Sequence, residues 1–204
     1  NYPVLQAADI LIYKATVVPV GRDQEAHIEF TREVARKFNT TYGETFPEPV
    51  SYYTPAAVVP SLTGEGKMSK SIPGSYIALT DPPEVIWEKL ARTLTDPARV
   101  RRSDPGEPEK CPVIWTLHLI YTPEEKRQEL ARGCRTAGIG CLECKRVLAD
   151  AIIADLAPVQ ERWRHLAAHP DEVREVLREG AARVRPIAQA TLAEVKEKMG
   201  PVSY

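Results

Sequence analysis

The stretch Ala15-Thr-Val-Val-Pro-Val20, followed by Gly21-Arg22-Asp23-Gln24 and an amphipathic run from Glu25 to about Tyr42, constrains the fold more than any other part of the chain. A β-branched strand, a glycine turn and a helix N-terminus, in that order, are the parts of a nucleotide site in a parallel α/β sheet. There the free backbone N–H groups and the helix dipole face the ligand. Ile28, Val34, Ala35 and Phe38 are the expected buried face of that helix, and Gly43 its end. Upstream, Pro3 suits a first helical turn. Val4, Leu5, Ala8, Leu11 and Ile12 form an apolar helical face that runs to about Ala15 and carries Asp9 among buried-looking neighbours. A carboxylate in such company needs a partner, and backbone or a basic side chain is the plain structural choice. The chain opens Asn1-Tyr2-Pro3, not with Met, and starts directly on this helix, so a natural N-terminal part is expected to be missing.

Residues 44–66 hold Pro47, Pro49, Pro55 and Pro60 and read as extended or looped, with Ala57-Val58-Val59 the only stretch suited to a buried strand. Ser75 to Leu79 reads as a last short strand, and Asp81-Pro82-Pro83 opens a helix through about Leu94. From there the pattern is helical, which places a domain boundary near residue 80. Helices are expected over 112–121, 122–133, 144–168, with a kink at Pro158, and 170–199, with Gly180 and Pro186 as weak points. Val173, Val176, Leu177, Ala181 and Val184 recur at helical steps and read as packing. The expected fold class is therefore α/β: part of a parallel-sheet domain over 1–80, then an all-helical domain over 81–204 whose last helix can pack back on the first.

No apolar run reaches membrane-spanning length and no signal peptide is visible, so a cytoplasmic address is the default expectation. The formal net charge of −1 excludes a general attraction for nucleic acid, so any such binding must come from local patches. Arg92, Arg99, Arg101 and Arg102 are one candidate patch, with structural ion pairing expected to take about half of them.

All four cysteines, Cys111, Cys134, Cys141 and Cys144, fall in one 34-residue stretch with gaps of 22, 6 and 2 residues. In a cytosolic chain such clustering argues for a metal over disulfides. Structural zinc more often shows two Cys-x-x-Cys knuckles. An iron–sulfur cluster tolerates uneven spacing, because it needs four thiolates at four corners. Cluster, zinc and free or redox thiols all stay open on chemistry alone. Gly133, Gly138 and Gly140 are expected to take positive φ around a bulky core, and Lys110, Arg135 and Lys145 to offset thiolate charge. His27, His118, His165 and His169 show no metal-ligand spacing and read as packing or hydrogen-bonding residues. Trp87, Trp115 and Trp163 read as core or partly buried anchors.

Lys67-Met68-Ser69-Lys70-Ser71 lies between Gly64 and Gly66 on one side and Pro73-Gly74 on the other. Two ammonium groups three residues apart with hydroxyls between them make a cationic claw for polyphosphate, although spacing alone equally describes a solvated loop. The letters KMSKS resemble the second signature loop of class I aminoacyl-tRNA synthetases. The segments Tyr2 to Tyr13, Val18 to Gln24, His27 to Arg32 and Leu156 to Arg162 extend that likeness in the same order and spacing, so that essentially the whole chain resembles tryptophanyl-tRNA synthetase. The cysteine spacing resembles a bacterial subgroup carrying a 4Fe-4S cluster in its anticodon-binding domain. Gln6, where many bacterial members have Met, and Arg22, where Glu is usual, depart from the pattern. The family's first signature, of the His-Ile-Gly-His type, is absent from this sequence.

The resemblance implies a C-terminal half of a Rossmann-like domain followed by a helical anticodon-binding domain, in a homodimeric tryptophan–tRNA ligase. Its partners are L-tryptophan, ATP with Mg2+ and tRNA(Trp), and these residues alone are expected to be inactive. It implies that Lys67 and Lys70 are catalytic, closing over the triphosphate with Met68, Ser69 and Ser71, while Gly21, Arg22, Asp23, Gln24 and Val59 hold the rest of ATP. Asp9 would accept the indole N–H, Val18 and Val20 wall the ring, Tyr2 and Gln24 hold the amino group, and Gln6 lie beside them. Cys111, Cys134, Cys141 and Cys144 would hold the 4Fe-4S cluster, with zinc as the alternative, and Arg101, Arg102, Lys145 and Arg146 would meet tRNA. A non-catalytic tRNA-binding or regulatory paralogue is the rival reading; tyrosyl-tRNA synthetase shares the fold.

Overall fold

The computed structural model describes residues 1–53 and 58–200, which form two compact units. One unit takes residues 1–57 and 169–204, the other 58–168. The expected boundary near residue 80 therefore does not divide the packing: the KMSKS loop belongs to the same unit as the central helices.

In the first unit, helix α1 (Tyr2–Leu11) leads to strand β1 (Val17–Pro19), helix α2 (Glu25–Tyr42) and strand β2 (Val50–Tyr52). The strands pair in parallel, Val17 opposite Val50 and Pro19 opposite Tyr52. A parallel pair needs a long crossover, and α2 supplies it. Gly43 ends α2 at φ 95°, where an L side chain would be strained. The strand expected at 57–59 is not the one that forms: Ala57 lies outside the described residues and Val58 is an exposed bend. The pairing strand is Val50–Tyr52, within the stretch read as extended or looped but not singled out as a strand.

α1 turns Ala7, Ile10 and Leu11 inward, not Val4, Leu5 and Ala8, and Asp9 is exposed. α2 buries Ile28, Thr31 and Ala35, with Phe38 beside them, whereas Val34 is exposed. The last helix, α7 (Pro170–Met199), brings Val195 against Leu11, Ala35 and Phe46. Its apolar stripe does not pack as expected: Val173, Val176, Leu177 and Val184 are exposed and Thr191 is the buried position.

In the second unit, residues 75–79 form no strand. Helices α3 (Pro83–Arg92), α4 (Pro112–Tyr121), α5 (Glu124–Arg135) and α6 (Cys141–Ala168) follow. Ile86 and Leu90 of α3 meet Val113 and Leu117 of α4 and Leu148 and Ile152 of α6 in one core. Met68 and Cys111 pack against that same core, so loop and cysteine site share a foundation. Trp87 is a partly buried member, but Trp163 is exposed on α6.

Candidate functional site

The first unit gathers several of the expected pocket residues where α1 begins beside the start of α2. His27 Nδ1 lies 3.0 Å from Gln6 Oε1 and 3.1 Å from Gln24 Oε1, and its ring is 5.4 Å from that of Tyr2. Both amide oxygens are acceptors, so Nδ1 donates to them. Sequence reasoning read His27 as a packing or hydrogen-bonding helix residue, and hydrogen-bonded it is, but did not place it among the pocket residues, where it is the hub of Tyr2, Gln6 and Gln24. Its position three residues after Gln24 puts it on the same helical side.

Beside them, Val20 N–H donates to Tyr52 O at 3.1 Å, fixing the exit of β1. Gly21 then caps a single 3-10 turn over Arg22–Gln24. Arg22 lies 5.2 Å over the Tyr53 ring, and Gln24 Nε2 donates to Asp23 at 3.3 Å. Val18 and Val20 are half-buried. Tyr53 Oη and Ser51 Oγ are buried without a hydrogen-bond partner among the described residues, two polar atoms on alternate residues of β2 and its exit. Asp9 does not sit among buried neighbours as the apolar periodicity suggested, because the inward arc of α1 is one residue out of phase with it.

The second unit holds the loop. Met68 N–H donates to Val59 O at 3.0 Å, and Pro60 and Lys67 form an antiparallel bridge, so the rising side is a narrow ladder. Ser69 and Ser71 hydroxyls meet at 2.8 Å. Lys67 and Lys70 are exposed while Met68 turns inward to the core.

The four cysteines, separate in sequence, line one small recess with Trp115, Leu130 and Ile139. Cys111 stands just before α4, Cys134 near the end of α5, and Cys141 and Cys144 on the first turn of α6. Among the described residues no three His, Cys, Asp or Glu side chains are gathered closely enough to hold a single metal ion. Burial raises the Cys111 and Cys134 thiols, and burial together with the neighbouring cysteines pushes Cys144 up to about 12.

The cation that lines this recess is Arg99, not the expected Lys110 or Arg135; Lys145 is outside the lining but close enough to interact with Cys111, Cys141 and Cys144. Its Nη1 lies 3.9 Å from Cys134 Sγ and 3.8 Å from Cys141 Sγ, while Nη2 donates to Arg102 O and Ile139 O at 3.0 and 2.6 Å. Its Nε is buried without a protein partner. Lys110 and Arg135 are spent on Glu107 and Glu109. His118, fully buried and depressed to about 4 by that burial, has Nε2 3.3 Å from Cys144 Sγ and Nδ1 2.8 Å from Thr122 Oγ1.

The glycines act by size, not by positive φ: the left-handed residue here is Ala137, at φ 55°. A Cβ on Gly106 would stand 2.8 Å from Cys134 Sγ, and one on Gly133 3.0 Å from Ile139. No sequence signal marks Gly106, which lies outside the cysteine segment.

Of the basic residues expected to meet tRNA, Arg101 and Arg102 are exposed, Arg102 pairing with Glu143. Arg146 is also exposed, its guanidinium 3.5 Å over the Trp87 ring. Lys145 is not a surface group: it is 5% exposed and donates to Ala91 O and Thr93 O at 2.8 and 2.5 Å.

Comparison with known proteins agrees along the chain. The family described as tRNA synthetases class I (W and Y) matches residues 1–157. A tryptophan–tRNA ligase of Deinococcus radiodurans is 51% identical over 200 residues, which cover 98% of this chain and 60% of that protein. The corresponding ligase of Thermotoga maritima is 47% identical over 199 residues, covering 97% and 60%. The chain thus spans about 60% of the length of these curated relatives. Among solved structures, tryptophanyl-tRNA synthetase of Campylobacter jejuni, complexed with ADP and tryptophan, superposes at a TM-score of 0.75 with 32% identity, over 98% of this chain and 61% of that one. A tyrosyl-tRNA synthetase of Aeropyrum pernix shares the fold at a TM-score of 0.61 and 22% identity, over 85% and 50%. With the family matched across both the glycine turn and the KMSKS loop, and nearly the whole of this chain aligned to relatives about half identical to it, this chain belongs to the class I tRNA synthetases of the W and Y type.

Proposed function

We propose that the complete protein is a tryptophan–tRNA ligase of the cytoplasm, working as a homodimer, of which this chain supplies the tryptophan-side helices, the KMSKS loop and the anticodon-binding helices. The observation that carries the reading is the gathering of Tyr2, Gln6 and Gln24 around His27, next to the β1 exit and the glycine turn. Names of the half-identical relatives support the same substrate.

In the proposed reaction the tryptophan carboxylate attacks the α-phosphate of ATP, pyrophosphate leaves, and the tryptophanyl group passes to the 2′-hydroxyl of the terminal adenosine of tRNA(Trp). The first step depends on positioning and charge stabilisation. Lys67 and Lys70 neutralise charge moving onto pyrophosphate, with Ser69, Ser71 and Mg2+. Gly21, Arg22, Asp23 and the backbone at Val59 and Met68 hold the nucleotide. Tyr2 and Gln24 hold the α-amino group; Val18 and Val20 flank the indole; Gln6 sets the floor through His27. Asp9, exposed on α1, accepts the indole N–H, and a site built to pair that donor rejects phenylalanine.

We also propose that the four cysteines hold a 4Fe-4S cluster. Three observations support the reading, although the side chains are not drawn together around a single ion: all four cysteines line the recess, Arg99 offers a cation with a spare N–H, and Gly106 leaves the space a Cβ would fill. A bound cluster would supply a rigid cross-link between α4, α5 and α6. Arg101, Arg102 and Arg146 are the exposed cations left to meet the anticodon arm.

Asp9→Ala in the complete protein tests the substrate assignment. The KM for tryptophan in pyrophosphate exchange rises roughly tenfold or more, with partial loss of discrimination against phenylalanine. Unchanged discrimination refutes the role of Asp9.

A further inference from the structure

Ser75 is fully buried although it lies at the foot of an exposed arch. Residues 70–74 of that arch, which include Lys70, are all exposed. The Ser75 hydroxyl donates to Ser69 O at 2.7 Å and accepts from Ser69 N–H at 3.2 Å, so one side chain grips both polar groups of one residue in the middle of the KMSKS motif. The backbone of Ser75 is committed as well: its N–H donates to Ile72 O at 3.2 Å, and its carbonyl accepts from Leu62 N–H at 2.9 Å. Gly74, at φ 76°, makes the turn that delivers it.

The two lysines stand on opposite sides of this grip. Lys67 is held by the ladder with Pro60 and by Met68, whose N–H reaches Val59 and whose side chain reaches the core. Lys70 follows Ser69 onto the arch, where the Ser69–Ser71 hydroxyl contact and Ile72 N–H to Ser69 O at 3.2 Å are local turns that do not reach the core. The Ser69 peptide is therefore the last point at which the arch is fastened to the body of the unit before Lys70.

We propose that Ser75 is a positioning residue for the phosphate clamp: its hydroxyl clasps Ser69 and thereby fixes Lys70 relative to Lys67 in the conformation that receives ATP. This rests on the reading of Lys67 and Lys70 as the phosphate-binding pair. A flexible ammonium gains affinity for polyphosphate when its backbone is held in advance, because the cost of ordering falls on folding and not on binding. Alanine at 75 leaves the Ser69 N–H without its acceptor and the Ser69 carbonyl with only the local Ile72 N–H, which frees the arch from the body of the unit.

The test uses the complete protein in three forms: wild type, Ser75→Ala and Ser61→Ala. Ser61 is another buried serine at the loop base, and its hydroxyl meets Thr63, not Ser69. Hydrogen exchange at amides 69–72 accelerates in Ser75→Ala and not in Ser61→Ala. Tryptophan-dependent pyrophosphate exchange loses roughly tenfold in kcat/KM for ATP, the size of one to two lost hydrogen bonds, while KM for tryptophan stays within about twofold. Ser75→Cys, which keeps a weak donor and acceptor, recovers part of both readouts. Equal loop exchange in wild type and Ser75→Ala overturns the clasp, and loop loosening without an ATP-side defect overturns its role in positioning Lys70. A wild-type protein inactive toward tryptophan would instead overturn the ligase reading, and the loop exchange would still decide whether Ser75 holds Ser69.

Discussion

Lys145 separates a surface role from a structural one, and Lys145→Met is the perturbation that does so. The ammonium is buried and donates to Ala91 O and Thr93 O at 2.8 and 2.5 Å, closing two of the orphan carbonyls at the end of α3. Hydrogen bonds from a charged donor contribute about 1.5–3 kcal/mol each, so the gross loss is roughly 3–6 kcal/mol. Part of this is recovered, because taking an ammonium out of water is costly. Burial does hold the pKa of Lys145 below the ordinary lysine value. Methionine fills most of the stem volume, so no large cavity is left. The net destabilisation is about 2–3 kcal/mol, which for a chain of this length lowers Tm by roughly 4–12 °C. Thermal unfolding by circular dichroism reads that shift, and aminoacylation below the new Tm reads KM for tRNA. A Tm within about 2 °C of wild type, accompanied by a raised KM for tRNA, refutes the buried role and returns Lys145 to the nucleic-acid surface.

Two further outcomes are expected. Cys141→Ser lowers the iron content of the complete protein, measured by metal analysis and visible absorbance, and impairs tRNA charging more than pyrophosphate exchange; equal loss of both indicates general unfolding of the second unit. Glu194 is held at about 2, below the ordinary carboxylate range, by hydrogen bonds from Lys14 and Lys198. The unfolded chain takes up that proton near 4.5, so the stabilisation is complete above that pH and is lost as acid carries the protein through about 2. In thermal melts across that window, the gap between wild type and Glu194→Gln narrows on acidification; a constant gap contradicts the ion pairs.

Four cysteines in one short stretch were read as one site, and they line one recess. α2 was legible to the residue, since an amphipathic period and a terminal glycine agree on its limits. α1 failed for the opposite reason. Val4, Leu5, Ala7, Ala8, Ile10, Leu11 and Ile12 are apolar almost all round, so periodicity could not select Ala7, Ile10 and Leu11 over the neighbouring arc. With the arc misjudged, Asp9 was placed among buried neighbours. β2 was missed because Val50-Ser-Tyr52 follows two prolines, and what makes it a strand is its partner β1, which no local pattern encodes.

The same distinction explains the residues whose roles at the site were not read. Arg99 was assigned to a basic patch, His118 to packing or hydrogen bonding, as it is found, and Ser75 to a strand: an arginine in a polar loop, a histidine on an apolar helix, a serine after glycine. Each is defined by a contact with a residue far along the chain or across a turn, namely Cys134 and Cys141, Cys144, and Ser69. All three are at most 9% exposed, and burial of a polar side chain is tolerated when its hydrogen bonds are made. Their contacts lie inside a single unit whose core also receives Met68 and Cys111. A motif names the groups that can do chemistry; the buried polar residues behind it decide whether those groups are held where the chemistry happens, and only packing reveals them.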